Sequence, residues 1–288
     1  MIKVIRTDDN AFQINLDARG CKKDWEQWVL FRSDGHHDNA HCRDGLEREH
    51  LEEAKHRNAI VLDGGDLFCA MQGRHDKRRS PEALKNKFQG KSNFFDLIVD
   101  DAAEFYGPYA DRMLIFAHGN HETSVLKNIG INLTENLCRR LNMEHGGNCL
   151  AGLFSNYIRF NVRMTKTSTQ DVTLYHHHGY GGGGHRTDGV MQFKDKSVHH
   201  RADILWMGHI HKLNSSHHVF DYLNGSGKIV KKRMTFLRTS TYKDEHGKGV
   251  GGWSVERGYD PVPMGATWVR FFIKNRNVTW ETYETADI

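Results

Sequence analysis

Five times along this 288-residue chain a mostly apolar, β-favouring run stops at a polar or glycine-rich turn: WVLFRSD (28–34), AIVLDGGD (59–66), MLIFAHGN (113–120), VTLYHHHG (172–179) and DILWMGH (203–209). Apolar runs this short, bounded by turn residues, predict buried strands. Helix-length patterns lie between them. Leu46, Leu51 and Ala54 share one face of a polar segment, and Phe94, Ile98, Ala102 and Phe105 follow a helical period. Strands alternating with helices predict an α/β sandwich, in which ligand sites sit just beyond the carboxyl ends of the strands. The polar tips of all five runs fall there.

The C-terminal part changes character. HHVFDYL, KKRMTFLRTSTY and TWVRFFIKNRNVTWETYE read as consecutive antiparallel strands of a second sheet, joined by turns such as Asn224-Gly225. Propensity over the first 20 residues predicts an extra strand or hairpin at a sheet edge. No repeat, proline-rich linker or composition shift marks a boundary, so residues 1–288 are expected to form a single domain.

Hydrophobic residues make up 38% and charged residues 26%, a mixture that excludes disordered and fibrous classes. No stretch approaches the roughly 20 apolar residues of a membrane span, and MIKVIRTDDN lacks the apolar core of a signal peptide, so a cytoplasmic protein is expected. The five cysteines (Cys21, Cys42, Cys69, Cys138, Cys149) are odd in number and form no C-x-x-C pair, which predicts free thiols. A net charge of +4 is too mild to establish a polyanionic partner, although 74–79 (RHDKRR) and 228–233 (KIVKKR) are local basic runs. The twenty histidines are the anomaly, because imidazole is the commonest protein metal ligand.

Several of those histidines stand at the strand tips. In Ser33-Asp34-Gly35-His36, residues two apart in an extended segment project to one side, so Asp34 and His36 can converge on one cation. Gly64-Gly65-Asp66 lets the backbone turn closely and presents a carboxylate able to reach two cations, with Asp63 a nearby rival. Gly119-Asn120-His121-Glu122 stands at a strand-to-helix corner, ahead of a helix expected to begin near Ser124. There Asn120 offers an amide oxygen to a metal and His121 points towards a substrate. Within His176-His177-His178-Gly179, alternation puts His176 and His178 on one side; His178 is nearest the strand end, with His176 and His177 as alternatives. Gly208-His209-Ile210-His211 again spaces two imidazoles for one cleft. The pairs His199-His200 and His217-His218 lack this setting and read as surface residues.

The order D-x-H, G-D, G-N-H-E, H-G, G-H-x-H resembles the calcineurin-like metallophosphoesterase superfamily, over about 29–212. That resemblance implies a four-layer α-β-β-α sandwich of two mixed sheets flanked by helices. It further implies two divalent ions, one held by Asp34, His36, Asp66 and His211, the other by Asp66, Asn120, His178 and His209. His121 would be the acid at the leaving oxygen, and a metal-bound hydroxide the nucleophile. Oxygen and imidazole donors without thiolate suit Mn²⁺ best, then Fe²⁺ or Zn²⁺. Leu67 and Phe68 stand where purple acid phosphatases and protein serine/threonine phosphatases carry their own signatures. Gly65-Asp66-Leu67-Phe68 is closer to the DNA repair exonuclease branch and to small bacteriophage-encoded phosphoesterases, whose setting would be the host cytoplasm. Gly35 inside the first motif is expected to face away from the ions.

The expected activity is therefore hydrolysis of phosphodiester bonds in DNA, RNA or nucleotides, with Arg74, Lys77, Arg78 and Arg79 as candidate backbone contacts. A phosphomonoesterase acting on a metabolite, a nucleic-acid end or a phosphoprotein would use the same metals. A non-catalytic scaffold of the same fold is the third possibility.

Overall fold

The computed structural model describes residues 2–20, 24–70, 80–182, 187–247, 253–256 and 258–285. An N-terminal hairpin, β1 (Val4–Asp8) and β2 (Ala11–Asp17), precedes β3 (Glu26–Arg32), α1 (Asp44–His56) and β4 (Ile60–Asp63). Then come α2 (Phe94–Tyr106), β5 (Met113–Phe116), α3 (Asn120–Ile129), α4 (Leu133–Glu144) and β6 (Leu150–Ala151). Two long strands, β7 (Ser155–Arg163) and β8 (Thr169–His177), lead to α5 (Val190–His199) and β9 (Ile204–Met207). Two hairpins close the chain: β10 (Asn214–Leu223) with β11 (Ile229–Arg238), and β12 (Thr267–Lys274) with β13 (Asn277–Glu284). No helix among the described residues is long and apolar enough to cross a membrane.

The strands form two mixed sheets, a seven-stranded one ordered β1-β2-β7-β8-β9-β11-β10 and a six-stranded one ordered β13-β12-β3-β4-β5-β6. Alternate side chains of both sheets fill the space between them, with Phe12, Ile14, Phe31, Leu62, Phe160, Leu174, Trp206 and Phe271 all buried. Outside the six-stranded sheet, α1, α2 and α4 bury Leu51, Ile98, Ala102, Leu137 and Leu141. Outside the seven-stranded sheet, Phe193 of α5 stacks on Phe236 at 5.1 Å. The result is the expected layering of helix, sheet, sheet and helix.

The N-terminal hairpin lies at an edge of the seven-stranded sheet, as propensity suggests. The C-terminal strands do not form one separate sheet. β11 runs parallel to β9 and β12 runs antiparallel to β3, so the two hairpins divide between the two sheets. The reason is burial: Phe236 and Leu237 need cover on both faces of the seven-stranded sheet, whereas Val269 and Phe271 face the inter-sheet core. The six-stranded sheet thus contains four parallel strands, β3 to β6, and the seven-stranded one the parallel run β8, β9 and β11; the carboxyl ends of β3, β4 and β5 meet those of β8, β9 and β11.

Candidate metal centre

β3 ends at Arg32, and the chain after it is not extended. Asp34 and His36 adopt left-handed backbone, φ 54° and 48°. Their N–H groups donate to the carbonyls of Gly65 (2.8 Å) and Asp66 (3.0 Å). The sequence argument that extended alternation brings Asp34 and His36 to one side is therefore corrected: a left-handed twist at each residue does so. Such backbone is uncommon outside glycine and costs of order 1–3 kcal/mol per residue. Asp66 (55°), His209 (72°) and His211 (57°) share it, so five of the ten non-glycine positive-φ residues among those described are proposed ligands.

Gly35 faces away from the cluster as expected, but its side is not empty. A Cβ there would lie 2.6 Å from the Arg32 guanidinium. That guanidinium is wholly buried, 2.7 Å from the Glu47 carboxylate and between the rings of Tyr106 and Tyr242. Asp63, the rival to Asp66, belongs to this buried network: it lies 3.4 Å from Arg32 Nε and accepts the Gly65 N–H at 2.9 Å. It joins no metal-sized group among the described residues.

The Asp66 turn is pressed against the start of α3. A Cβ on Gly119 would stand 2.0 Å from Asp66 Oδ1, and Gly65, at φ 97°, would meet the Gly119 nitrogen at 2.4 Å. Only glycine permits both approaches. The helix begins at Asn120, not near Ser124, because Glu122 caps it early. The buried Glu122 carboxylate accepts the N–H groups of Gly119 (2.8 Å), Asp66 (3.0 Å) and Phe68 (2.9 Å). His121 N–H donates to Asp66 Oδ1 at 2.9 Å, while its Nδ1 lies 2.7 Å from the Cys69 carbonyl, leaving Nε2 on the Asp66 side at 3.7 Å from Oδ2.

From the other sheet come His178, His209 and His211. His178 Nδ1 donates to the Gly64 carbonyl at 2.8 Å, which turns Nε2 towards Asp66 Oδ2 at 3.1 Å. His176, on the same side, uses both nitrogens: Nε2 on the same carbonyl at 3.1 Å and Nδ1 on the Asn156 amide at 3.1 Å. His177 accepts the Gly179 N–H at 3.1 Å. Neither belongs to a metal-sized group, whereas His178 does. Ser33 Oγ and His209 N–H both donate to Asp34 Oδ2, turning Oδ1 towards His211 Nε2 at 3.4 Å.

Two groups of the proposed ligands result, Asp34 with His36 and His211, and Asp66 with His178 and His209, and a third, His36 with Cys69 and His121, adjoins them, each with donor atoms within 4.8 Å of one another. Four donor atoms here, Asp34 Oδ1, His36 Nε2, Asn120 Oδ1 and His178 Nε2, are buried without a hydrogen-bond partner. Buried polar atoms are rarely left so, and three of these four belong to the two groups, which fits cations. A further group, His37, Asp44 and Glu47, is different: Lys85 sits on Asp44 at 2.6 Å and Arg32 on Glu47, so its acidic charge is already matched. Electrostatics follow the same division. Burial opposes charge on Asp34 and Asp66, but His211 beside the first and His121 and His178 beside the second hold both below the ordinary carboxylate range. Burial likewise depresses His36 and His209. At His178 it is outweighed by Asp66, and the imidazole is lifted to about 10.

Several supporting residues escape a motif reading. After β11, Thr239 Oγ1 lies 2.7 Å from Ser33 Oγ, Thr241 Oγ1 donates to the Asp34 carbonyl at 2.8 Å, and Ser240 Oγ donates to the His211 carbonyl at 2.7 Å. Asp38 accepts the N–H groups of Cys69 (2.6 Å) and Ala70 (2.9 Å). The only sequence signal for the first three was the end of a predicted strand in KKRMTFLRTSTY. His199, His200, His217 and His218 lie outside both groups; His200 is not a plain surface residue, since it stacks on Tyr175 at 3.8 Å. Arg74, Lys77, Arg78 and Arg79, and Cys21, lie outside the described residues. The other four cysteines are free thiols.

No protein-family model and no curated protein matches the chain. Among solved structures it is similar to vacuolar protein sorting 29 from Cryptosporidium parvum, with 14% identity, 92% of this chain and 100% of that one covered, and a TM-score of 0.39. A predicted phosphoesterase from Streptococcus pneumoniae is 11% identical over 90% of this chain and 99% of that one, with a TM-score of 0.33. Vps29 complexed with zinc from Entamoeba histolytica is 12% identical over 89% and 98%, with a TM-score of 0.34. Likenesses this distant carry no chemistry; the site's own geometry must.

Proposed function

We propose that this chain is a two-metal phosphoesterase of the calcineurin-like superfamily, a single domain that hydrolyses phosphodiester bonds of nucleic acid or nucleotides. The observation that carries the reading is the pair of triads at the joined strand ends, Asp34 with His36 and His211 and Asp66 with His178 and His209, five of whose six residues are set in left-handed backbone. Asp34, His36, Asp66 and His211 would hold one divalent ion, and Asp66, Asn120, His178 and His209 the other, with Mn²⁺ the first choice for these donors. Such ions neutralise phosphate charge and make bound water acidic.

The chain's own residues do the rest. Glu122 accepts the Asp66 backbone N–H and so fixes its turn, while the His121 N–H orients the Asp66 carboxylate. His121, with Nδ1–H fixed on the Cys69 carbonyl, delivers a proton from Nε2 to the leaving oxygen. The diester and nucleic-acid preference rests on Gly65-Asp66-Leu67-Phe68 and on the basic runs at 74–79 and 228–233.

The test is a substrate panel on purified, Mn²⁺-loaded protein: bis(p-nitrophenyl) phosphate, p-nitrophenyl phosphate, single- and double-stranded DNA, RNA and cyclic nucleotides. Cleavage of the diester and of at least one nucleic acid or nucleotide is expected. Diester cleavage with every nucleic acid and nucleotide intact rejects the substrate class, a strong monoester preference rejects the diester assignment, and two bound ions with no hydrolysis leave only a scaffold.

A further inference from the structure

Cys69 is a single residue with three attachments at the centre. Its N–H donates to Asp38 Oδ1 at 2.6 Å, its carbonyl accepts from His121 Nδ1 at 2.7 Å, and its sulfur lies 3.2 Å from His36 Nδ1. The sulfur also receives the Asn39 side-chain N–H at 3.1 Å, and the residue is 8% exposed. His36 Nε2 meanwhile is buried and partnerless. A histidine that offers one nitrogen to a cation usually donates the other N–H to an acceptor that fixes the ring, and among the described residues the Cys69 sulfur stands in that place for Nδ1.

We propose that Cys69 is a positioning residue: its sulfur holds the His36 ring so that Nε2 faces the cation of the Asp34, His36 and His211 group, while its backbone carbonyl aims His121. One thiol-bearing turn thereby ties the ligand of one ion to the proposed acid. The inference rests on the two-metal reading for the identity of the site, but not on any substrate.

The experiment is calorimetric titration of metal-free protein with Mn²⁺. Cys69→Ala should weaken one of the two binding events by roughly 10–100-fold and leave the other unchanged. Cys69→Ser, which restores an acceptor, should recover most of that loss. Should alanine leave a cavity that unfolds the chain, judged by circular dichroism, Cys69→Val fills the space and still lacks the acceptor. In a His36→Ala background the Cys69 substitution should cost nothing further, because the sulfur acts through His36. Unchanged binding in Cys69→Ala, or an equal additional loss without His36, overturns the proposal. Two ions bound without hydrolysis of any ester would sink the phosphoesterase reading and leave this one standing; hydrolysis with Cys69-independent metal binding would do the reverse.

Discussion

Replacing His121 by alanine separates what its backbone does from what its ring does. The N–H that reaches Asp66 Oδ1 at 2.9 Å belongs to the backbone and survives, and alanine is at home in the first turn of α3. Asp66 should therefore keep its orientation and both ions should stay. What disappears is the ring, 12% exposed, with its contact to the Cys69 carbonyl and an Nε2 that lies 3.7 Å from Asp66 Oδ2. Losing one such hydrogen bond costs folding about 1 kcal/mol. Losing a positioned acid costs roughly 10²–10⁴-fold in turnover, or about 2.7–5.5 kcal/mol of transition-state stabilisation. The leaving group sharpens the test. p-Nitrophenolate departs without a proton, so the deficit on bis(p-nitrophenyl) phosphate should be much smaller than on an ester with an alkoxide leaving group. Steady-state rates on both esters, with elemental analysis of the same samples, check this. Metal content falling in step with turnover, or the same deficit on both leaving groups, refutes the assignment of His121 as an acid.

The other expectations are as direct. Asp66→Asn should keep the fold, since its amide oxygen can still accept the His121 N–H, yet bind metal poorly by elemental analysis. Gly119→Ala should destabilise the chain by about 3 kcal/mol or more in chemical denaturation, because the new Cβ would fall 2.0 Å from Asp66 Oδ1. Burial pushes Asp63 up to about 7 against the pull of Arg32. A carboxyl raised on folding contributes stability that is complete below about pH 4 and lost as pH rises through about 7. The stability of Asp63→Asn relative to the wild type should accordingly rise between about pH 4 and pH 7 in thermal melts, and a difference that stays flat across that window would contradict the shift. Chelation should lower the melting temperature: an ion present at about 1,000 times its dissociation constant stabilises by about 4 kcal/mol per site.

Much of this architecture is readable from local pattern. The five apolar runs contain β4, β5 and β9 and overlap β3 and β8, which begin two and three residues earlier, and the helical periods at 46–54 and 94–105 fall inside α1 and α2. Local burial is what period and length encode. Sheet membership of the C-terminal hairpins is a long-range pairing and leaves no local trace. At the centre, the motifs nominate donors that the structure gathers, but for a partly mistaken reason: the turn geometry at Asp34, His36, His209 and His211 is left-handed, which Asp and His tolerate better than most residues but which the local pattern does not require. His178 stands out from its neighbours only once Gly64, Asn156 and Gly179 are seen occupying His176 and His177. Glu122 reads as an ordinary helix-start acid and Cys69 as a small apolar residue, because their partners lie 54–56 and 33 positions away.

The left-handed turns also bear on how such a chain can change. Each holds its residue in a conformation that a glycine would occupy without cost, yet a glycine there has no donor to offer. Relaxing any one of the five therefore relieves backbone strain while removing a grip on the ions. A lineage released from metal binding would drift downhill in that direction, trading donors for glycines. This chain has not taken that path: all five positions keep a side chain able to hold a cation.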